Sequence, residues 1–182
     1  QGTLPFYFVE IAPYEYGDNI LGALLREAQF KAQELIPSSG MISTNDLVEP
    51  FEARNIHPRN KTTVGKRLCY MALTRTYGVK GIVDQGPIYQ SMEIKDGKAI
   101  ISFSNAPEGF SRMNGIEGFE VAGADKVFYP AVAVVDWNKH IIVSSDQVPQ
   151  PVAVRYAFKN FQPGNLHNHR EQPVFPFRTD NW

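Results

Sequence analysis

The chain has 182 residues, enough for one good core or two small modules and too few for a multidomain machine. Hydrophobic residues make up 43% and charged residues 20%, a globular balance that excludes a disordered or collagen-like chain. With 18 Lys and Arg against 19 Asp and Glu and no basic stripe, there is no footprint for phosphate backbones or anionic lipid, so neither nucleic acid nor a membrane is an expected partner.

The first residues, Gln1-Gly2-Thr3, carry no initiator Met, basic region or apolar core of a signal. A targeting segment is therefore expected to have been removed or never to have belonged to this piece. Phe6 to Ile11 is a nearly continuous apolar run ending before Pro13, the pattern of a strand buried on both faces. From Asp18, a natural N-cap, the period becomes helical. Leu21, Leu24, Leu25, Ala28, Ala32 and Leu35 share a face expected to point inward, with Arg26, Lys31 and Glu34 outward. Pro37 and Gly40 stop that helix, and Gly40 to Thr44 reads as a second short strand. Asn45 to Pro58 has no period and reads as a loop. Asn60 then caps another amphipathic helix with Val64, Leu68, Met71 and Ala72 on one side, before Gly78 supplies a left-handed stop. Cys69 lies in that helix; alone it cannot close an internal disulfide and reads as a core filler.

After about Asp84 the period switches to two. Ser91 to Lys95, Asp96-Gly97 and Lys98 to Phe103 predict a hairpin with a type I′ turn. Further strands are expected at Phe119 to Ala122, Val127 to Val135, His140 to Ser144 and Val152 to Phe158. The tail from Asn160 to Trp182, with Pro163, Pro173 and Pro176, is expected to wrap the surface as a coil pinned by Phe175, Phe177 and Trp182. The fold class is thus α/β over residues 1–84, followed by an antiparallel β module over 85–182. Two strands and two helices cannot cover both faces of a parallel sheet, so the first half is expected to be incomplete alone and to associate through an uncovered face.

The sequence holds no phosphate-cradling glycine loop, dinucleotide fingerprint, paired cysteines, His-Glu-x-x-His or Gly-x-Ser-x-Gly elbow, so no cofactor or metal is expected. What remains is Asn55-Ile56-His57-Pro58-Arg59-Asn60-Lys61, a histidine in a loop after a strand and before a helix, where catalytic groups of open α/β sheets gather.

Several ordered blocks carry a resemblance. They include Leu4 to Tyr14, Arg26-Glu27-Ala28-Gln29, Gly40-Met41, Asn55 to Lys61, Val64 to Leu68 and Gly86-Pro87-Ile88-Tyr89. They continue through Gly118 to Asp125, Pro151 to Tyr156 and Pro176 to Asp180. Together they span essentially the whole chain, which resembles the C-terminal part of bacterial sialate O-acetylesterases. That resemblance implies the C-terminal portion of an SGNH-type, flavodoxin-like domain. The implied chemistry uses a serine nucleophile, a histidine base and oxyanion donors from Gly and Asn, acting on acetyl esters of sugars. His57 stands at the family's histidine position. A serine hydroxyl is a poor nucleophile at neutral pH and needs an imidazole to take its proton and return one to the leaving alkoxide.

Many members carry Asp two residues before the histidine, where this chain has Asn55, which cannot offset imidazolium charge. Glu52, Asp46 or Glu49 could take the third role. Alternatively, a Ser-His dyad could work with a carbonyl orienting the ring, or Asn55 could only shape the loop. Ser38, Ser39, Ser43, Ser91, Ser102, Ser104, Ser111, Ser144 and Ser145 all lie outside a nucleophile block. The nucleophile is therefore expected outside this chain, which should be inactive alone.

The implied partners are an O-acetylated sialic acid or related acetylated sugar and the N-terminal part of the same enzyme. The implied location is periplasmic or secreted. Alternatives are an acetylxylan-type polysaccharide deacetylase and a non-enzymatic carbohydrate-binding or interface module. Arg26 with Gln29, and Arg155, could recognise a carboxylate but read first as ion-pairing residues. Tyr7, Tyr14, Tyr16, Trp137 and Trp182 could stack on sugars but read first as core. His167-Asn168-His169 is a weak metal pair, and the Asn60-Lys61-Thr62 sequon is explained by the helix cap.

Overall fold

The computed structural model describes residues 4–17 and 19–182; Asp18, the expected N-cap, lies outside the described residues, as do the first three. The chain divides into two compact units, one of 1–85 with Lys159–Pro163, the other of 86–158 with 164–182.

In the first unit, β1 (Phe6–Val9) and β2 (Ser39–Ile42) pair in parallel, with Phe6 opposite Ser39 and Val9 opposite Ile42. A parallel pair needs a long crossover, which α1 (Leu21–Leu35) supplies. Ile20, without a side-chain cap, precedes α1. α2 (Lys61–Arg75) starts where expected, with the Thr63 N–H donating to Asn60 Oδ1 at 3.1 Å. Its Met71 is fully buried and packs on β2. A Cβ at Gly40 would sit 2.6 Å from Met71 Sδ, so glycine there is what lets helix and strand approach. Cys69 is exposed rather than in the core.

Two expectations fail here for a shared reason. β1 is at most half-buried rather than covered on both faces, and the apolar stripe of α1 faces outward. Leu21 is 64% exposed and Leu35 83%, with Leu25 also exposed, while Gly22, Ala23 and Arg26 are buried. The side of α1 that turns in meets the segment Lys159–Pro163. Gly22 N–H donates to Asn160 Oδ1 at 2.7 Å, and the Arg26 guanidinium donates to the carbonyls of Asn160 and Lys159. Asn160 Nδ2 in turn reaches the Gly17 carbonyl and Asn19 Oδ1. Buried backbone carbonyls require donors, and the arginine that the helical period assigns to solvent is the donor. A sheet of two strands has no second layer to take up the leucines.

The second unit is a sandwich of two four-stranded antiparallel sheets. One contains β3 (Ile88–Lys95), β4 (Lys98–Ser104), β8 (Ile141–Ser144) and β7 (Val132–Val135), in that order. The other contains β10 (Phe177–Arg178), β9 (Ala153–Tyr156), β5 (Phe119–Ala122) and β6 (Phe128–Pro130). Their inner residues, among them Ile101, Val121, Ile141, Val143, Val154 and Tyr156, form one core. The hairpin turn is as expected, with Asp96 at φ 50° and Gly97 at φ 71°, the two left-handed residues a type I′ turn requires.

The single strand expected over Val127 to Val135 is broken at Ala131 and serves both sheets. The tail does more than wrap the surface. Leu166, Val174, Phe175 and Phe177 are buried, and β10 pairs with β9. Asp180 anchors its end, accepting from Arg155 Nε at 2.8 Å and Nη2 at 2.7 Å. Among the described residues no helix is long and apolar enough to cross a membrane.

Candidate functional site

The loop from the C-terminal end of β2 to α2 carries His57, and buried polar groups fix its path. Glu10, directly after β1, receives the Ser43 hydroxyl at 2.6 Å and the Thr44 N–H at 3.0 Å on one carboxylate oxygen. Burial pushes this carboxyl above its usual range, against the pull of nearby Arg26 and of those two hydrogen bonds. Nearly two turns into α2, on its buried side, Arg67 reaches back to the loop. It donates to the Ser43 carbonyl at 2.9 Å and grips Asp46 in a fork at 2.7 and 2.6 Å.

Beyond a single 3-10 turn at Pro50–Glu52, the buried Glu52 side chain spans the bend that bears the histidine. Its Oε1 accepts from the Arg59 N–H at 2.9 Å and its Oε2 from the Glu49 N–H at 3.1 Å. Its carbonyl accepts from the Asn55 N–H at 2.7 Å. The two backbone donors, Arg59 first and then Glu49, hold the Glu52 carboxyl below its usual range. Asn55 Oδ1 accepts from the His57 backbone N–H at 3.0 Å, an Asx-type turn. The His57 side chain is exposed. An imidazole held by a pinned backbone and open to solvent can exchange protons with a hydroxyl brought to it.

The candidate third members therefore meet the loop backbone or an arginine. Asn55 and Glu52 use their oxygens on main-chain N–H groups, and Asp46 is taken by Arg67. Ser43 is the serine nearest to this loop in sequence; it is buried and donates to Glu10. Ser39 donates to the Ile36 and Gln33 carbonyls, and Ser111 to the His167 carbonyl. Among the described residues no hydrogen bond joins a serine hydroxyl to His57.

The arginines considered for carboxylate recognition are committed: Arg26 to backbone carbonyls and Arg155 to Asp180. Gln29 accepts from the Ile11 N–H at 2.8 Å. His167 Nδ1 lies 3.2 Å from the Asn165 carbonyl, and among the described residues no group of three metal-ligating side chains is assembled. Trp137, read first as core, is 97% exposed.

Two features were not legible in the sequence. Phe51, beside the 3-10 turn, is 69% exposed and has the Arg59 guanidinium 5.2 Å from its ring centroid. A cavity of about 310 Å³ lies against the same loop, lined by Asp46, Leu47, Glu49, Phe51, Glu52, Arg59 and Asn60.

Over 99% of its length the chain is similar to a solved structure of a carbohydrate acetylesterase from Xanthomonas citri, with a TM-score of 0.86 and 38% sequence identity. It spans 42% of that enzyme's chain. No protein-family model matches the sequence, and no curated protein does. The likeness is thus to a carbohydrate esterase, carried by a chain with few helices and antiparallel sheets beside a parallel strand pair.

Proposed function

We propose that the chain is the base-bearing C-terminal part of a carbohydrate O-acetylesterase of the sialate O-acetylesterase kind. Its first unit would be the end of an SGNH-type, flavodoxin-like domain. The observation that carries the reading is the exposed His57 in a loop pinned by Glu52 and Asn55, within a chain 38% identical to part of a carbohydrate acetylesterase.

In this reading a serine from the N-terminal part of the same enzyme attacks the acetyl carbonyl while the His57 imidazole takes its proton. The imidazolium then protonates the sugar oxygen as the ester C–O bond breaks. Water, activated by the same ring, releases acetate from the acetyl-serine. Glu52 and Asn55 act on the loop rather than on the substrate. An O-acetylated sialic acid is the proposed substrate and the periplasm or the exterior the proposed location.

The test measures acetate release from O-acetylated sialic acid and from acetylated xylan by the longer esterase polypeptide that includes this sequence. His57→Ala is expected to lower kcat by several orders of magnitude with little change in KM. Undiminished turnover in that variant would remove the base from His57. Turnover of xylan alone would move the substrate from sialic acid to the polysaccharide.

A further inference from the structure

Trp137 stands at the tip of the β7–β8 hairpin and is 97% exposed. An indole is among the costliest groups to leave in water, and the turn beneath it is built to keep it there. Asp136 Oδ1 accepts from the Asn138 and His140 N–H groups, both at 2.8 Å, and Asp136 Oδ2 lies 3.2 Å from His140 Nδ1. The Lys139 N–H closes the turn on the Asp136 carbonyl at 3.1 Å, and the Asp136 N–H donates to the His140 carbonyl at 2.9 Å. Lys139 sits at φ 67°, a left-handed conformation that a non-glycine residue holds only when its surroundings fix it. The fixing contact is its own ammonium, which donates to the Pro107 carbonyl. The Lys139 ammonium is thereby taken up. Asn138, next to Trp137 in sequence, is exposed as well, whereas the His140 ring is half-buried and turned to Asp136.

From these features we infer that the hairpin tip is a carbohydrate-binding site, in which the Trp137 ring stacks on the apolar C–H face of a pyranose and the exposed Asn138 amide takes one of its hydroxyls. A flat aromatic face suits the apolar side of a sugar ring, and the Asp136 carboxylate next to it in sequence disfavours an anion or an acidic peptide. A locked turn loses little conformational freedom on binding, which a weak stacking contact could not otherwise offset. Trp182 does not offer the same surface, since the Lys126 ammonium lies 4.8 Å from its ring. The inference rests on the carbohydrate reading above but not on His57, and the site holds a sugar unit rather than the ester under attack.

The test is fluorescence titration of the 182-residue chain carrying Trp182→Phe, so that Trp137 is the single tryptophan, with xylohexaose, chitohexaose and sialyllactose as probes. A saturable blue shift or quench with at least one probe is expected. It should be unchanged by His57→Ala; in calorimetry, which needs no tryptophan, Trp137→Phe and Trp137→Tyr should retain weaker binding. Trp137→Ala, read by calorimetry in the Trp182→Phe background, should weaken binding by at least about tenfold with its thermal midpoint unmoved. No response to any probe, or binding that survives Trp137→Ala, overturns the site. A blue shift that grows with protein concentration in the absence of sugar also overturns it, because it assigns the tip to a second copy of the chain. Binding that persists while the longer polypeptide proves inactive toward acetyl esters would uphold the site and dismiss the esterase reading.

Discussion

Acidification acts on Glu52 and Glu10 in opposite directions, because one carboxylate is held by backbone N–H groups and the other is buried. Glu52 has its proton affinity lowered in the folded chain. Its contribution is therefore present above the ordinary carboxylate range and is lost as pH falls through the folded value. Glu10 has its proton affinity raised, so the folded state binds that proton more tightly than the unfolded chain. Stability is then lost as pH rises from the ordinary glutamate value of 4.5 toward the raised folded value.

Thermal midpoints measured from pH 3 to 8 are expected to show Glu52→Gln losing stability near neutrality and flattening the acid limb. Glu10→Gln should match or exceed the parent at pH 7. A Glu10→Gln variant that melts well below the parent at pH 7 would mean that Glu10 is stabilised as a carboxylate. The loop and the N-cap at Asn60 were legible because each is a local matter of residue type. The clamp by Glu52 was not, since it depends on Arg59 folding back seven residues along the chain.

At the scale of elements, α1 shows how a correct period can be assigned the wrong direction. The leucines do share a face, but the other face carries Arg26, and the carbonyls of Lys159 and Asn160 that it serves are more than 130 positions away in sequence. No local pattern announces that pairing. Replacing Leu21, Leu25 and Leu35 together by Lys is expected to leave the stability in denaturant melts within about 1 kcal/mol of the parent, since exposed positions contribute little. The same variant should abolish concentration-dependent association in light scattering, because the stripe is a large exposed apolar surface. A variant that unfolds would show that the stripe packs inward, and a parent that stays monomeric at all concentrations would show that the stripe needs no cover.

The tail has a different anchor. Asp180, whose side chain is fully buried, is the partner of Arg155, so Asp180→Ala strands a guanidinium and is expected to cost about 3–5 kcal/mol in denaturant melts. Arg155→Met with Asp180→Leu should recover most of that. Melts of Asp180→Ala that coincide with the parent would show that the tail is not docked through this pair. Sequence reading placed the hairpin at Asp96-Gly97 because its turn chemistry is specific. It joined β6 to β7 by passing over Pro130, the proline that ends β6, and it missed β10 because two residues are too few to show alternation.

At the scale of the whole molecule, one unit presents an imidazole beside a two-stranded sheet and the other is a sandwich with a core of its own. The central claim is that this polypeptide supplies the base of an acetyl-transfer site and that the hydroxyl comes from elsewhere. Buried Ser43, bonded to Glu10, and Ser39 and Ser111, which donate to carbonyls, fit that claim. The most direct test is to treat the 182-residue protein with a fluorophosphonate, which labels activated serine hydroxyls, and to map any adduct by mass spectrometry. No serine is expected to be labelled above the level of the denatured chain. Stoichiometric labelling of one serine, abolished by His57→Ala, would contradict the account by showing that nucleophile and base reside together in this chain.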